Sequence, residues 1–293
     1  LADVANLGPG FRVVDISNPS QIGSQNVDTP WGATRLIRLD NYLLVGTNGA
    51  GVQLYDITSP LSPSYVYKSW LNKGGVVDMK YESNTRRLWV LGDGKLHVLD
   101  MSRPRYAKEL AACDADTGYT YWGSAASPLE VSGQYGYISQ EGEIGIYFCS
   151  GTKLSRSSLF FQSHRFRLDH YKCLVQDPAQ HKLYALVDTG SGKRVEAFMI
   201  EADGQLGQLP LESFTVSRLG NRMVLSGNHL LILGIPSSTG GCGVDTYDRT
   251  NPAGSFSSHT LFTTAYRPRS TGLAVSADGS QFFFTGDSWF LSA

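Results

Sequence analysis

Asp114-Ala115-Asp116-Thr117-Gly118 sets two carboxylates on alternate residues of a glycine turn, the way an oxygen cage for Ca2+ begins. The complete loop pattern is not met. Gly118 arrives one place early, Thr117 offers only a hydroxyl, and Glu130 belongs to a separate element. Asp114 and Asp116 are the metal candidates, against the plainer reading of a solvated acidic loop, and Ca2+ is the one cofactor considered. His97, His164, His170, His181, His229 and His259 include no pair two or four residues apart, so no local metal pair forms. There is no G-x-S-x-G elbow, no H-E-x-x-H and no Walker-type loop. Gly8-Pro9-Gly10 and Gly240-Gly241-Cys242-Gly243 are turns with no helix behind them to cradle a phosphate. No catalytic residue is assigned.

A more regular signal is aromatic. Trp31, Trp70, the run Tyr119-Thr120-Tyr121-Trp122, Tyr171 and Tyr266 each stand just before an apolar stretch. Arg35, Arg38, Arg165, Arg167, Arg267 and Arg269 lie in or near the same junctions. Flat aromatic faces suit sugar rings, peptide side chains and proline. Arginine forks hold carboxylates bidentately. The predicted ligand-binding set is Trp31, Trp70, Tyr121, Trp122, Tyr171, Tyr266, Arg35 and Arg267. The alternative is that these rings wedge between sheets as core.

The elements that must position them come from a repeat. Tyr42–Pro60 lies over Leu1–Pro19 without a gap, aligning Gly49 with Gly8, Gly51 with Gly10, and Asp56-Ile57-Thr58 with Asp15-Ile16-Ser17. The unit returns as Arg86–Pro104 and Gly243–Pro252. A period in the low forties, read as strand, Gly-rich turn, strand, Asp and Pro, predicts an all-β propeller of four-stranded antiparallel blades. Third-strand ends near Asp15, Asp56, Asp100, Cys149, Ile200, Asp248 and Leu291 give seven blades. Six is the alternative, if the terminal pieces merge. The first repeat lacks an inner strand and the last an outer one, so the termini are expected to close the ring. Asp15, Asp56, Asp100 and Asp248 are read as structural turn caps, accepting backbone N–H groups before the Pro that ends the ladder.

The wording G-[FV]-x-[VL]-[VY]-D-I-[ST]-x-P resembles the LVIVD repeat family of bacterial and archaeal β-propellers. It is specific in the first two repeats, recognisable in the third and sixth, and only an apolar outline elsewhere. The resemblance implies an extracytoplasmic propeller, often part of a larger surface or secreted protein, and it brings no shared enzymatic activity or catalytic residues.

Net charge is −1, which gives no electrostatic reason to bind nucleic acid. No run approaches the roughly 18 apolar residues of a membrane span. The chain opens at Leu1 in mid-repeat, as a processed chain or a piece of a longer one would, and residues 1–293 are read as a single propeller domain. Cys113, Cys149, Cys173 and Cys242 fit either two disulfides or four free thiols. Two functions follow as expectations. One is a non-enzymatic module binding a protein or glycan outside the cytoplasm, or serving in a surface assembly. The other is a lactonase-like, metal-assisted hydrolase, for which Asp78, His170 and Asp177 are scattered candidates.

Overall fold

A computed structural model describes residues 2–3, 10–15, 23–67, 74–115, 127–140, 143–161, 170–188, 192–216, 218–236, 242–250, 256–262, 270–275, 282–286 and 290–292. Among them every regular element is a strand except a single 3-10 turn at Pro104–Tyr106. The first sheet holds β1 (Ala2–Asp3), β2 (Gly10–Asp15) and β3 (Gly23–Asp28). The second holds β4 (Ala33–Leu39), β5 (Tyr42–Thr47), β6 (Val52–Asp56) and β7 (Ser64–Tyr67). The third holds β8 (Val76–Glu82), β9 (Arg87–Gly92), β10 (Lys95–Asp100) and β11 (Lys108–Asp114). The fourth holds β12 (Leu129–Ser132), β13 (Tyr135–Ser139), β14 (Glu143–Ser150) and β15 (Lys153–Phe161). The fifth holds β16 (His170–Asp177), β17 (Lys182–Asp188), β18 (Lys193–Met199) and β19 (Glu212–Val216). The sixth holds β20 (Arg218–Ser226), β21 (His229–Pro236), β22 (Cys242–Asp248) and β23 (Phe256–Phe262). The last holds β24 (Ser270–Val275), β25 (Phe282–Gly286) and β26 (Phe290–Ser292).

Strands adjacent in sequence are adjacent in each sheet, a simple meander. Five sheets are complete four-stranded blades, which corrects the expected seven or six. The sheets at the two ends carry three strands each: the repeat outline continues there, but the fourth strand needed for a full blade is absent among the described residues.

The central strands explain why the apolar runs read as continuous rather than alternating. In β5, β9 and β17 every residue after the first is buried up to the strand end or its last position. A strand covered on both faces loses the period-2 pattern. The outer strand β19 keeps it, with Ser213 and Thr215 exposed while Phe214 and Val216 are buried.

The chain divides into two compact units, residues 1–116 with 148–155, and residues 117–147 with 156–293. In the first, Phe11 and Val13 pack with Val45 and Tyr55, while Leu44 and Leu54 pack with Val90 and Leu99. The Phe11 and Tyr55 rings meet edge to face at 5.2 Å. In the second, Ile144 and Ile146 pack with Leu174 and Phe198, and Tyr184 and Val195 pack with Ile232 and Tyr247. The first three sheets in the one unit and the fourth to sixth in the other thus cover each other's apolar faces.

One backbone tie recurs. The residue after the third strand donates to the carbonyl just before the second: Ile57 to Asn41 at 2.7 Å, Met101 to Arg86 at 2.9 Å, Ile200 to His181 at 2.7 Å and Arg249 to Asn228 at 2.9 Å. It persists in the fifth repeat, where Met199 replaces the Asp. The tie is a main-chain property, independent of the side-chain motif.

Cys113, Cys149 and Cys173 form no disulfide. Two disulfides would use all four cysteines, so that alternative is overturned. Burial raises the Cys149 thiol pKa, against a smaller opposing effect of Arg87. Cys149 and Cys173 are expected to resist a thiol reagent until the protein unfolds, with half-buried Cys113 reacting first; a reagent titration with and without denaturant reads this out. Leu54→Ala, at a fully buried site, is expected to lower stability by about 2–5 kcal/mol in urea unfolding.

Candidate binding rim

The described part of the aromatic junction lies in the first unit, where the segments entering β4 and β8 meet the turns after β5 and β9. Trp31 follows β3, and its carbonyl accepts the buried Thr29 hydroxyl. Asn48 N–H donates to Gly32 O at 2.9 Å, Gly51 N–H to Gly74 O at 3.3 Å, and Gly75 N–H to Asp93 Oδ1 at 3.0 Å. Trp31 lies flat against Gly49, where a Cβ would sit 2.7 Å from Trp31 Cδ2. At Gly74, with φ +108°, a Cβ would fall on the Asp93 carboxylate. Glycine is required at both turns because rings and side-chain heads pack directly on backbone. Trp31 nevertheless keeps 52% of its surface exposed.

Beside it, Arg35 Nε donates to Asp78 Oδ1 at 2.8 Å, and Arg35 Nη1 donates to Thr34 O at 2.8 Å. The same Asp78 oxygen accepts Met79 N–H at 3.0 Å. Asp78 is 2% exposed at its side chain and Arg35 17%, so the carboxylate is buried and the arginine nearly so. Both residues occupy the same place in the repeat, immediately after a β-bulge near the start of the inner strand. The bulges fall between Ala33 and Arg35 and between Val76 and Asp78. Equivalent bulges precede Cys173, Arg222 and Gly272. A bulge adds twist and re-aims side chains. The bulged Thr34 also donates its hydroxyl to Val76 O at 2.8 Å, joining neighbouring inner strands.

The remaining predicted residues separate. Tyr171 is 5% exposed and packs in the core with Leu174 and Phe198, so its ring lies inside the second unit rather than on a rim. Trp70, Tyr121, Trp122, Tyr266, Arg267 and Asp116 lie outside the described residues. Asp114 is 93% exposed and paired with Lys95 at 3.3 Å. Among the described residues no group of three His, Cys, Asp or Glu side chains gathers as a metal centre would.

The hydrolase candidates are likewise placed. Asp78 is committed to Arg35. Asp177 is fully buried; its Oδ1 accepts Ala179 and Gln180 N–H at 3.0 and 3.2 Å, and its Oδ2 accepts Arg249 Nη1 at 2.9 Å. The side chain of His170 is outside the described set.

Asp56 Oδ1 accepts Thr58 N–H at 2.9 Å and the Thr58 hydroxyl at 2.6 Å. Asp248 holds Thr250 the same way at 2.8 and 2.7 Å, and Asp100 Oδ1 accepts Ser102 N–H at 2.9 Å. These are Asx turns. The side chain of Asp15 is not described. Hydrogen bonds from Thr58 hold the Asp56 carboxyl below its ordinary range, and those from Ser102 do so for Asp100.

Sequence reasoning missed Lys193. Its ammonium is 3.7 Å from Asp188, and burial first, then repulsion from Lys172, pushes its pKa down against the pull of Asp188. The signal was weak: a lysine after a glycine turn reads as a solvated surface residue.

The LVIVD repeat model matches residues 2–29. The chain carries an LVIVD repeat. No curated protein is significantly similar to it in sequence. Around this repeat the fold is that of solved propellers. A functionally unknown protein from Desulfotomaculum acetoxidans DSM 771 superposes with a TM-score of 0.70 at 10% identity, over 97% of this chain and 88% of that one. A putative 6-phosphogluconolactonase from Bacteroides fragilis NCTC 9343 gives 0.63 at 12%, over 97% and 86%. The beta-propeller domain of Myceliophteria thermophila Cps50 (Swd1) gives 0.60 at 13%, over 93% and 82%. At such identities the likeness establishes the propeller fold alone, which serves unrelated functions. No helix among the described residues is long and apolar enough to cross a membrane.

Two outcomes are expected. Arg35→Ala, which strands the Asp78 carboxylate in the interior, should cost about 3 kcal/mol in urea unfolding. Asp100 has a depressed folded pKa, so its stabilisation is complete above the unfolded carboxylate pKa of about 3.9 and is lost as pH falls through the folded value. The stability gap between wild type and Asp100→Ala should therefore be widest near neutrality and close in acid, as pH-dependent melts would read.

Proposed function

We propose that this LVIVD-repeat propeller is a non-enzymatic binding module that captures a protein or glycan outside the cytoplasm, as a free domain or within a surface assembly. The observation that carries the reading is Trp31. A tryptophan whose carbonyl accepts the Thr29 hydroxyl, whose neighbour Gly32 accepts Asn48 N–H and whose ring is backed by Gly49 keeps half its surface in solvent. Such a ring is pre-organised, so a partner stacking on it loses little conformational freedom. Arg35, held by Asp78 and Thr34 O, places a positive charge at the same junction, which favours an anionic partner. Trp70, Trp122 and Tyr266 stand ahead of later inner strands and would extend the aromatic set, with Arg267 as a second cation. The extracytoplasmic location rests on the LVIVD resemblance, since the described thiols are unbridged.

The hydrolase reading draws less support, because Asp78 and Asp177 are each held in an arginine pair instead of converging on one centre. The test is to screen glycan and peptide arrays with wild type and Trp31→Ala. Signals of the wild type should fall about 30-fold or more in the variant, the effect of an anchor worth about 2 kcal/mol. The thermal midpoint should hold, as for an ordinary surface change. A variant that binds like wild type, or that unfolds, would remove Trp31 from the rim.

A further inference from the structure

At the end of the fifth and sixth sheets opposite Lys193, the apolar layer between them gives way to a polar cluster. Lys182 and Tyr184 stand two residues apart on β17 and so share a face. Glu212 of β19 pairs through Oε1 with Lys182 Nζ. From the sixth sheet, Arg249 reaches back to Asp177 at 2.9 Å, and Asp177 also caps the turn after β16. Tyr184 and Tyr247 belong to the apolar cluster alongside.

Three atoms of this group are buried with no hydrogen-bond partner among the described residues: Tyr184 OH, Glu212 Oε2 and Arg249 Nε. They lie in one electrostatic neighbourhood. Glu212, Asp177 and Arg249 all act on the Tyr184 hydroxyl, which burial above all pushes up to about 12, so it stays a neutral O–H donor and acceptor. Buried polar atoms in folded proteins are nearly always paired, with protein or with ordered water. The three orphans are complementary: a donor in Arg249 Nε–H, an acceptor in Glu212 Oε2, and a hydroxyl that can act as either.

The formal charges decide what fits between them. Two cations, Lys182 and Arg249, balance two carboxylates, Glu212 and Asp177, so an added ion would bring uncompensated charge into a buried site. A small neutral molecule that both donates and accepts suits it. We propose that this cluster is a binding site for one ordered water. The water accepts from Arg249 Nε–H, donates to Glu212 Oε2, and takes Tyr184 OH as its third partner, three bonds being the usual complement of a buried water. Because Tyr184 and Glu212 belong to the fifth sheet and Arg249 to the sixth, the water is a bridge between blades. The ion pairs either side of it then act as one network.

The test is a high-resolution crystal structure of the wild-type protein, with oxygen-17 relaxation dispersion on wild type and Tyr184→Phe. The expected result is density for one water within hydrogen-bond distance of all three atoms, and one fewer long-lived water in the variant. A site without density, three side chains paired directly with each other, an ion identified by anomalous scattering, or an unchanged dispersion amplitude would each overturn the proposal. Should Tyr184→Phe fail to fold, wild-type density alone decides.

Discussion

Each inner pair of strands in this chain is apolar on both faces, and no single sheet of four short strands can hide two faces from water. Leu44 and Val45 are adjacent in β5, point to opposite sides, and are both fully buried, the first in the cluster shared with the third sheet and the second in the cluster shared with the first. Leu183 and Tyr184 of β17 divide in the same way between the fourth and sixth sheets. The second and fifth sheets therefore depend on neighbours at both sides, and stability within each unit is carried by nearest-neighbour interfaces. The 41-residue spacing is the sequence trace of that dependence, since a repeat that cannot bury itself survives only beside another like it.

This constraint leaves strand ends and turns free to differ, and the polar chemistry collects there. The Asx turns of Asp56, Asp100 and Asp248 close the third strands. At the opposite end, glycines let the Trp31 ring and the Asp93 carboxylate lie directly on backbone. A bulge at the start of the inner strand rotates the next side chain, and neighbouring blades use the shared position differently: Arg35 and Asp78 find one another, while the fifth sheet places Cys173 in its core. An identical backbone device thus yields an ion pair at one interface and an apolar contact at another, which is how a symmetric scaffold acquires an asymmetric site.

The fold was legible because its signals are local. Turn glycines, the Asp-Ser/Thr-Pro ending and the length of apolar runs placed most strands within a few residues of their observed bounds. The blade count was not, because the three-stranded pieces that the sequence shows at the two ends count there as blades, whereas only five sheets have four strands among the described residues. Tyr171 shows the limit at the site. It lies within β16, two residues before Cys173 as Ala33 lies before Arg35, and its ring packs inward among Leu174 and Phe198, while Trp31, ahead of β4, remains on the surface. Spacing in the sequence does not fix where the strand begins, and exposure depends on the neighbouring blade. The Arg35–Asp78 pair was hidden for the same reason. Its members lie 43 residues apart, and only the stacking of blades brings them together.

Buried ion pairs in such interfaces add little net stability, because desolvation offsets most of the attraction. Their value is in register. Two apolar blade faces can slide over one another at modest cost, whereas a guanidinium displaced from its carboxylate leaves a charge unpaired in the interior. Arg35–Asp78 in the first unit and Arg249–Asp177 in the second each join successive blades, one near the start of the inner strands and the other at their far end. Apolar packing supplies the attraction and the pairs restrict it to one alignment. That alignment matters most where Trp31 and Arg35 must present a fixed face, since a blade that slipped by one residue would turn every side chain on its strands to the opposite side.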